Sequence, residues 1–336
     1  GDAIQVYGPA AGSAHFISVA ELDVFGWRAS ESPESIPVVH VAAPPKVVLA
    51  GDEITLDARE SFDPYGASLT YTWTQIAGPP ITLIDGSTSS PRFVAPAVSA
   101  LARLTFELTV RAGDRTSAPV RIEVAVSTLD GGALDLSARG TFLVSEPHPQ
   151  GAGSHTLEVI RDGIEPAAGS IDPLGQYDTW TLPLTPVEGY VGYQFDRPFW
   201  FESIEFQEGV EFFDGGWFSS LAVEVRRDGR WYPIRKARFS PEYPYASDGV
   251  GYDTYQIAFQ PVEADAIRLS GRPGGSAQFF SVAELRVFAS QAPASNLAPV
   301  ANAGGDMIIP SAEIVPLDAT GSFDSDGAAL SYAWTQ

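Results

Sequence analysis

The feature that most constrains this chain is that it repeats itself. Residues 2–25, DAIQVYGPAAGSAHFISVAELDVF, recur as residues 265–288, DAIRLSGRPGGSAQFFSVAELRVF, with fifteen of 24 positions identical at an offset of 263. Residues 56–75, LDARESFDPYGASLTYTWTQ, recur as residues 317–336, LDATGSFDSDGAALSYAWTQ, with thirteen of 20 identical at an offset of 261. Two independent segments thus share a period of about 262 residues, so the sequence reads as one period plus a repeated overlap. A break midway through SYAWTQ would strand backbone groups of a half-built sheet. We therefore expect the sequence to be a window on a longer tandem array.

Composition shifts mark the boundaries. Residues 28–45, RASESPESIPVVHVAAPP, and 289–299, ASQAPASNLAP, occupy the same place one period apart and read as short, semi-stiff spacers. The segment TLDGG at 128–132 is a much shorter joint. The expected order is a partial domain over 1–27, a spacer over 28–45, and a smaller domain over 46–128. A larger domain over 133–289, a spacer over 290–299 and a second partial copy over 300–336 follow.

The smaller domain alternates with period 2. Leu69, Tyr71 and Trp73 are separated by threonines, and Leu104, Phe106, Leu108 and Val110 by polar residues. Val120, Ile122, Val124 and Val126 resume the pattern after Ala112-Gly113-Asp114. Such alternation buries one face of each strand. About seven short strands suggest an immunoglobulin-like sandwich, with Trp73 in its core. The larger domain is also β-rich. Leu221, Val223 and Val225 alternate ahead of an Asp228-Gly229 hairpin turn, and Ile204, Phe206, Ile267, Leu269, Leu285 and Val287 supply further strands. Roughly eight strands suggest a jelly roll. The fold class is therefore all-β, in keeping with 32 Gly, 27 Pro and a single Met.

Charge and missing residues exclude several functions. With 42 acidic against 20 basic residues the formal net charge is −22, so nucleic acid and anionic membrane are poor partners. No apolar run approaches the roughly 18 residues of a membrane span. No Cys is present, which removes disulfides, thiolate metal sites and Cys nucleophiles. The four histidines, His15, His40, His148 and His155, lie in no zinc-binding spacing, and no nucleophile elbow or phosphate-cradling loop is found. We expect no enzyme in this segment.

The segment SFDPYGASLTYTWTQ, with LDA before it, resembles the polycystic-kidney-disease (PKD) domain family, and the resemblance recurs at Ser322–Gln336. It implies an extracellular spacer or adhesion module. Asp63 and Asp324 are candidate cation ligands, or acceptors in Asx turns that bond their own backbone.

Three stretches of the larger domain resemble discoidin, or coagulation-factor type C, domains, which include many family 32 carbohydrate-binding modules. They are Val159–Gly163, Gly192–Phe195 followed by Ile204–Phe206, and the closing Phe280–Phe288, FSVAELRVF. The resemblance implies a structural Ca²⁺ held by Asp162 and Glu284, with Glu21 equivalent in the preceding copy. Ile164 departs from the family pattern there, and the bland alternative is that Asp162 caps a turn while Glu284 bonds backbone amides. It also implies a glycan site in the loops at one end of the sandwich. Candidates are Trp217 and Phe218 in FFDGGWF, Tyr243 and Tyr245 in PEYPYASDG, and Arg272, Gln278 and Phe279 in GRPGGSAQFF. Each of these aromatics could equally be core or a protein contact.

The expected function is a non-catalytic repeating segment of a long extracellular bacterial protein (a stalk, adhesin or filament), with glycans or neighbouring copies of itself as partners. The alternative is the accessory carbohydrate-binding region of a large secreted glycosidase or polysaccharide-degrading enzyme.

Overall fold

A computed structural model describes residues 36–182, 188–293, 298–301, 316–320, 322, 324 and 330–335. The partial copy at 1–27, with Glu21, lies outside the described residues, as does most of 300–336.

The smaller domain contains β1 (Val48–Leu49), β2 (Glu53–Thr55), β3 (Thr70–Ala77), β4 (Arg92–Val94), β5 (Ala102–Ala112), β6 (Arg115–Thr116) and β7 (Val120–Ser127). One sheet runs β1-β7-β5-β3 with β6 on β5, and β2 pairs with β4 in the other. The period-2 pattern maps onto this directly. Leu104, Phe106, Leu108 and Val110 of β5 are fully buried, and they meet Trp73, Phe93, Val124 and Val126 between the sheets. Trp73 is a core residue whose Nε1 donates to the Thr88 carbonyl at 3.1 Å, which satisfies its one polar group.

The residues read as a spacer behave differently in their second half. Val38 bridges Phe62, His40 N–H donates to Ser61 Oγ at 3.0 Å, and Ala42 N–H to the Asp57 carbonyl at 2.8 Å. The alternation in VVHV lets Val39 and Val41 pack on the core of the smaller domain, so this stretch is held rather than free.

The larger domain contains β8 (Leu134–Asp135), β9 (Thr141–Val144), β10 (Tyr177–Asp178), β11 (Gly189–Glu208), β12 (Phe218–Arg227), β13 (Arg230–Pro233), β14 (Arg238–Ser240), β15 (Thr254–Pro273) and β16 (Ser281–Ser290). Two 20-residue strands, β11 and β15, organise it. Their register shifts between Gln194 and Phe199 and again between Phe201 and Ser203. Such irregularities bend a strand, and the pairing splits there. The first half of β11 joins β9 and, through the second half of β15, β12 and β13. The second half of β11 joins β16 and the first half of β15, which carries β14. Two layers result from shared strands, where the sequence suggested about eight separate ones. Between them lie Tyr193, Phe201, Phe206, Phe218, Ile257, Ile267, Phe280 and Leu285, all essentially buried. The Asp228-Gly229 turn closes β12 onto β13 with both φ angles positive, +49° and +75°, as a tight primed turn needs.

Candidate functional site

Three loops converge beyond the start of β16. The first follows β11 and reads Phe212-Phe213-Asp214-Gly215. Phe212 N–H donates to the Gly215 carbonyl at 2.8 Å, which closes a tight turn with Phe213 and Asp214 at its tip. The tip is clamped from the second loop, where Ala277 N–H donates to the Asp214 carbonyl at 2.8 Å and Gly216 N–H to the Phe279 carbonyl at 2.9 Å. Gly215 is required, because a Cβ there would lie 2.5 Å from the Phe279 ring. The third loop, Gln150–Gly153, wraps the carboxylate of Asp178. Gly153 N–H donates to Asp178 Oδ2 at 2.7 Å and Trp180 N–H to Oδ1 at 3.2 Å, while Gln150 N–H donates to the Trp180 carbonyl at 2.8 Å.

These loops border an open, shallow cavity of about 470 Å³ lined by Gln150, Gly151, Ala152, Asp178, Trp180, Phe212, Phe213, Asp214 and Phe279. Phe213 is 99% exposed. Trp180 and Phe212 are half-buried, and Phe212 leans on Phe279 with ring centroids 5.7 Å apart. Asp178 is buried; burial pushes its carboxyl up, against the two amide hydrogen bonds that favour its charged form. It positions Trp180 and the glycine loop. The arrangement offers apolar ring faces on a rim and amide and carboxylate groups beside them. That combination suits a ligand with one apolar face and a ring of hydroxyls.

The structure sorts the residues singled out from sequence. Phe279 is in the cavity wall, 4% exposed. Phe218 and Tyr243 are corrected to core residues. Phe218 stacks on Phe280 at 4.3 Å, and Tyr243 O–H donates to the buried Glu208 carboxylate while accepting from Phe218 N–H at 2.9 Å. The alternation of β12 turns Phe218 inward, and the need to pair Glu208 draws Tyr243 in. Trp217 packs its indole on Gly274, where a Cβ would meet Nε1 at 2.1 Å. Tyr245 is partly exposed and sits edge-on to Tyr243 at 5.3 Å. Arg272 and Gln278 are exposed. None of these last four lines the cavity.

Trp180, Phe212, Phe213 and Asp214 were missed. FFDGG carried the signal: two successive aromatics cannot both face inward on a strand of period 2. A following Asp-Gly-Gly places them on a turn.

The cation candidates find other partners. Asp63 accepts from the amides of Tyr65 (3.1 Å) and Ala67 (2.9 Å) and pairs with Arg115 at 2.7 Å. Asp324 is buried, and its carbonyl accepts from Arg227. Asp162 and Glu284 do come together. However, Asp162 Oδ1 accepts from Ile164 N–H at 2.8 Å, and Glu284 faces two donors, Gly163 N–H at 3.4 Å and Arg286 Nε at 3.2 Å. Arg286 also pairs with Glu165 at 2.6 Å and with Glu205. The adjacent Gln207 Oε1 is a buried acceptor without a partner, but its amide is fixed by the carbonyls of Pro166 and Tyr252. Among the described residues no three His, Cys, Asp or Glu converge on a point. A Ca²⁺ ion wants six to eight oxygens, whereas the groups that face Glu284 here are the Gly163 N–H and the Arg286 guanidinium. Arg286 supplies a positive charge beside Glu284.

Comparison with known proteins bears first on the smaller domain. Residues 43–126 match a family model for PKD domains, so a PKD-like domain occupies this part of the chain. No curated protein matches. Among solved structures, CpGH89CBM32-5 from Clostridium perfringens, in complex with GalNAc-β-1,3-galactose, is 18% identical. That match covers 46% of this chain and 100% of the other, with a TM-score of 0.34. The PKD domain of KIAA 1837 protein is 24% identical over 29% of this chain and 91% of that one, with a TM-score of 0.23. A nucleoside hydrolase-related hypothetical protein from Saccharophagus degradans, associated with carbohydrate metabolism, is 25% identical with a TM-score of 0.24. That match covers 28% of this chain and only 25% of the other. No helix among the described residues is long and apolar enough to cross a membrane.

Proposed function

We propose that this chain is a non-catalytic, glycan-binding segment of a repeating extracellular bacterial protein, with the loop end of the larger domain as its contact surface. The observation that carries the reading is a fully exposed Phe213 beside Trp180 on the rim of a cavity with Asp214 and Gln150 at hand. An aromatic ring left in water at the tip of a clamped turn contributes nothing to the core. Stacked under the C–H face of a sugar ring it contributes to binding, and the polar groups read hydroxyls. The Clostridium perfringens module holds a ligand of this class, a disaccharide.

The test is a glycan array probed with the 336-residue chain, followed by titration of the best ligand. Phe213→Ala should weaken binding at least about tenfold, the equivalent of about 1.4 kcal/mol, with an unchanged melting temperature. Absence of binding to any glycan, or a Phe213→Ala variant that binds as well as wild type, overturns the reading.

The repeat supports a further element of the proposal, that such segments build a stalk, adhesin or filament. Electron microscopy of the native material should show an axial spacing that matches one two-domain unit. A catalytic glycosidase domain in the same polypeptide would favour an accessory role in polysaccharide degradation instead.

A further inference from the structure

The two domains are joined by more than a linker. The turn Leu49–Asp52 is closed by Asp52 N–H to the Leu49 carbonyl at 3.1 Å and by Leu49 N–H to Asp52 Oδ2 at 2.8 Å. The Asp52 carboxylate then reaches across the boundary. It pairs with Arg139 through the two terminal guanidinium nitrogens, Nη1 and Nη2, and with Arg197 Nη1 at 2.9 Å. Its side chain is 8% exposed and that of Arg139 12%, so the pair is shielded from solvent screening. Both guanidinium groups also lie over the Phe199 ring, at 5.6 and 5.2 Å. Beneath this polar clasp Leu49 is buried in the larger domain's core, and Leu129 of the short joint packs against it.

The larger domain is attached by one end only. Leu134 of β8 pairs with Ala289, and Ser290 pairs with Trp200, so the chain arrives and departs side by side. Phe279 of the cavity lies two residues before the first residue of β16, whose other end is Ser290. Ten residues of strand separate the two ends by about 30 Å.

We infer that the Asp52–Arg139–Arg197 clasp fixes residues 46–290 as a rigid two-domain unit whose cavity end points away from the line along which successive domains join. Each period then displays its contact loops outward on a stiff bracket, a geometry suited to engaging a polymeric glycan at several points. The display role rests on the glycan reading; the rigidity does not.

Because the chain has no Cys, spin labels can be placed at two chosen sites alone. Asp114→Cys in the smaller domain and Lys236→Cys in the larger are both at exposed positions. Pulsed electron–electron double resonance on the full chain should give one narrow distance distribution. Arg139→Ala, which leaves the 49–52 turn intact, and Asp52→Ala should each broaden it at least twofold. Phe213→Ala should leave it unchanged, which separates failure of the clasp from failure of the glycan site. A broad distribution in the otherwise wild-type chain, or a narrow one that survives both clasp substitutions, overturns the inference.

Discussion

Val48 and Leu49 are neighbours in sequence, yet their side chains belong to different cores. Val48 is buried among Trp73, Phe106 and Val126 of the smaller domain, and Leu49 among Leu136, Phe199 and Ala289 of the larger. Period-2 alternation makes this possible: a two-residue strand presents one side chain to each side of the sheet. Leu49→Asp should therefore destabilise the larger domain, and unfolding monitored by separate probes in each domain would show this. The expected cost exceeds about 3 kcal/mol, since it puts a polar carboxyl in place of an apolar side chain in the core.

Gly151 should be intolerant of any side chain. A Cβ there would lie 1.9 Å from Asp178 Oδ1, and the loop would have to release the carboxylate it wraps. Gly151→Ala is expected to weaken glycan binding more than it lowers stability, because the displaced loop borders the cavity. Parallel titration and thermal melts check the ordering.

Tyr243→Phe distinguishes a core tyrosine from a contact one. It removes the hydroxyl that donates to buried Glu208 and accepts from Phe218 N–H. Burial already pushes Glu208 well up, so losing its donor leaves an unsatisfied buried group. Stability should fall by about 1–3 kcal/mol while glycan affinity holds.

Acidity should stabilise the larger domain over a defined window. Burial pushes Glu284 up to about 7, despite the opposing pull of Arg286 and the Gly163 amide. Between its unfolded value of about 4.3 and that folded value, the folded state holds the extra proton. This group's contribution to stability therefore falls as pH rises from about 4.3 to about 7, with a slope of up to about 1.4 kcal/mol per pH unit. Glu284→Gln should flatten the profile in this range. Below it the sign reverses. Burial alone would raise the Asp52 carboxyl, but Arg139, the Leu49 amide and Arg197 together outweigh it and hold it low, so its contribution is lost as pH falls further.

Calcium should leave the melting temperature unmoved. Arg286 and the Gly163 amide already face the Glu284 carboxylate, and Asp162 is engaged by Ile164. A rise in melting temperature on adding millimolar CaCl₂ to chelator-treated protein would reinstate the ion.

Much of the fold was legible because alternation is a local signal. Leu104, Phe106, Leu108 and Val110 announced both their strand and the side it buries. The length of β11 was not, because its register shifts near Asp196 and Glu202 interrupt the pattern without ending the strand. The site was half legible. FFDGGWF contains residues that line the cavity, but the inward residue Phe218 was chosen alongside Trp217, and Phe213 on the turn before them was overlooked. Trp180 and Gln150 come from loops about thirty residues apart whose meeting depends on Asp178, a long-range contact with no motif of its own.

The pairing of Leu134 with Ala289 carries an evolutionary implication. A domain whose two ends are stitched together can be exchanged, duplicated or deleted while the path of its neighbours stays the same. An exchange at this seam would leave the chain before Leu134 and after Ala289 on the same course.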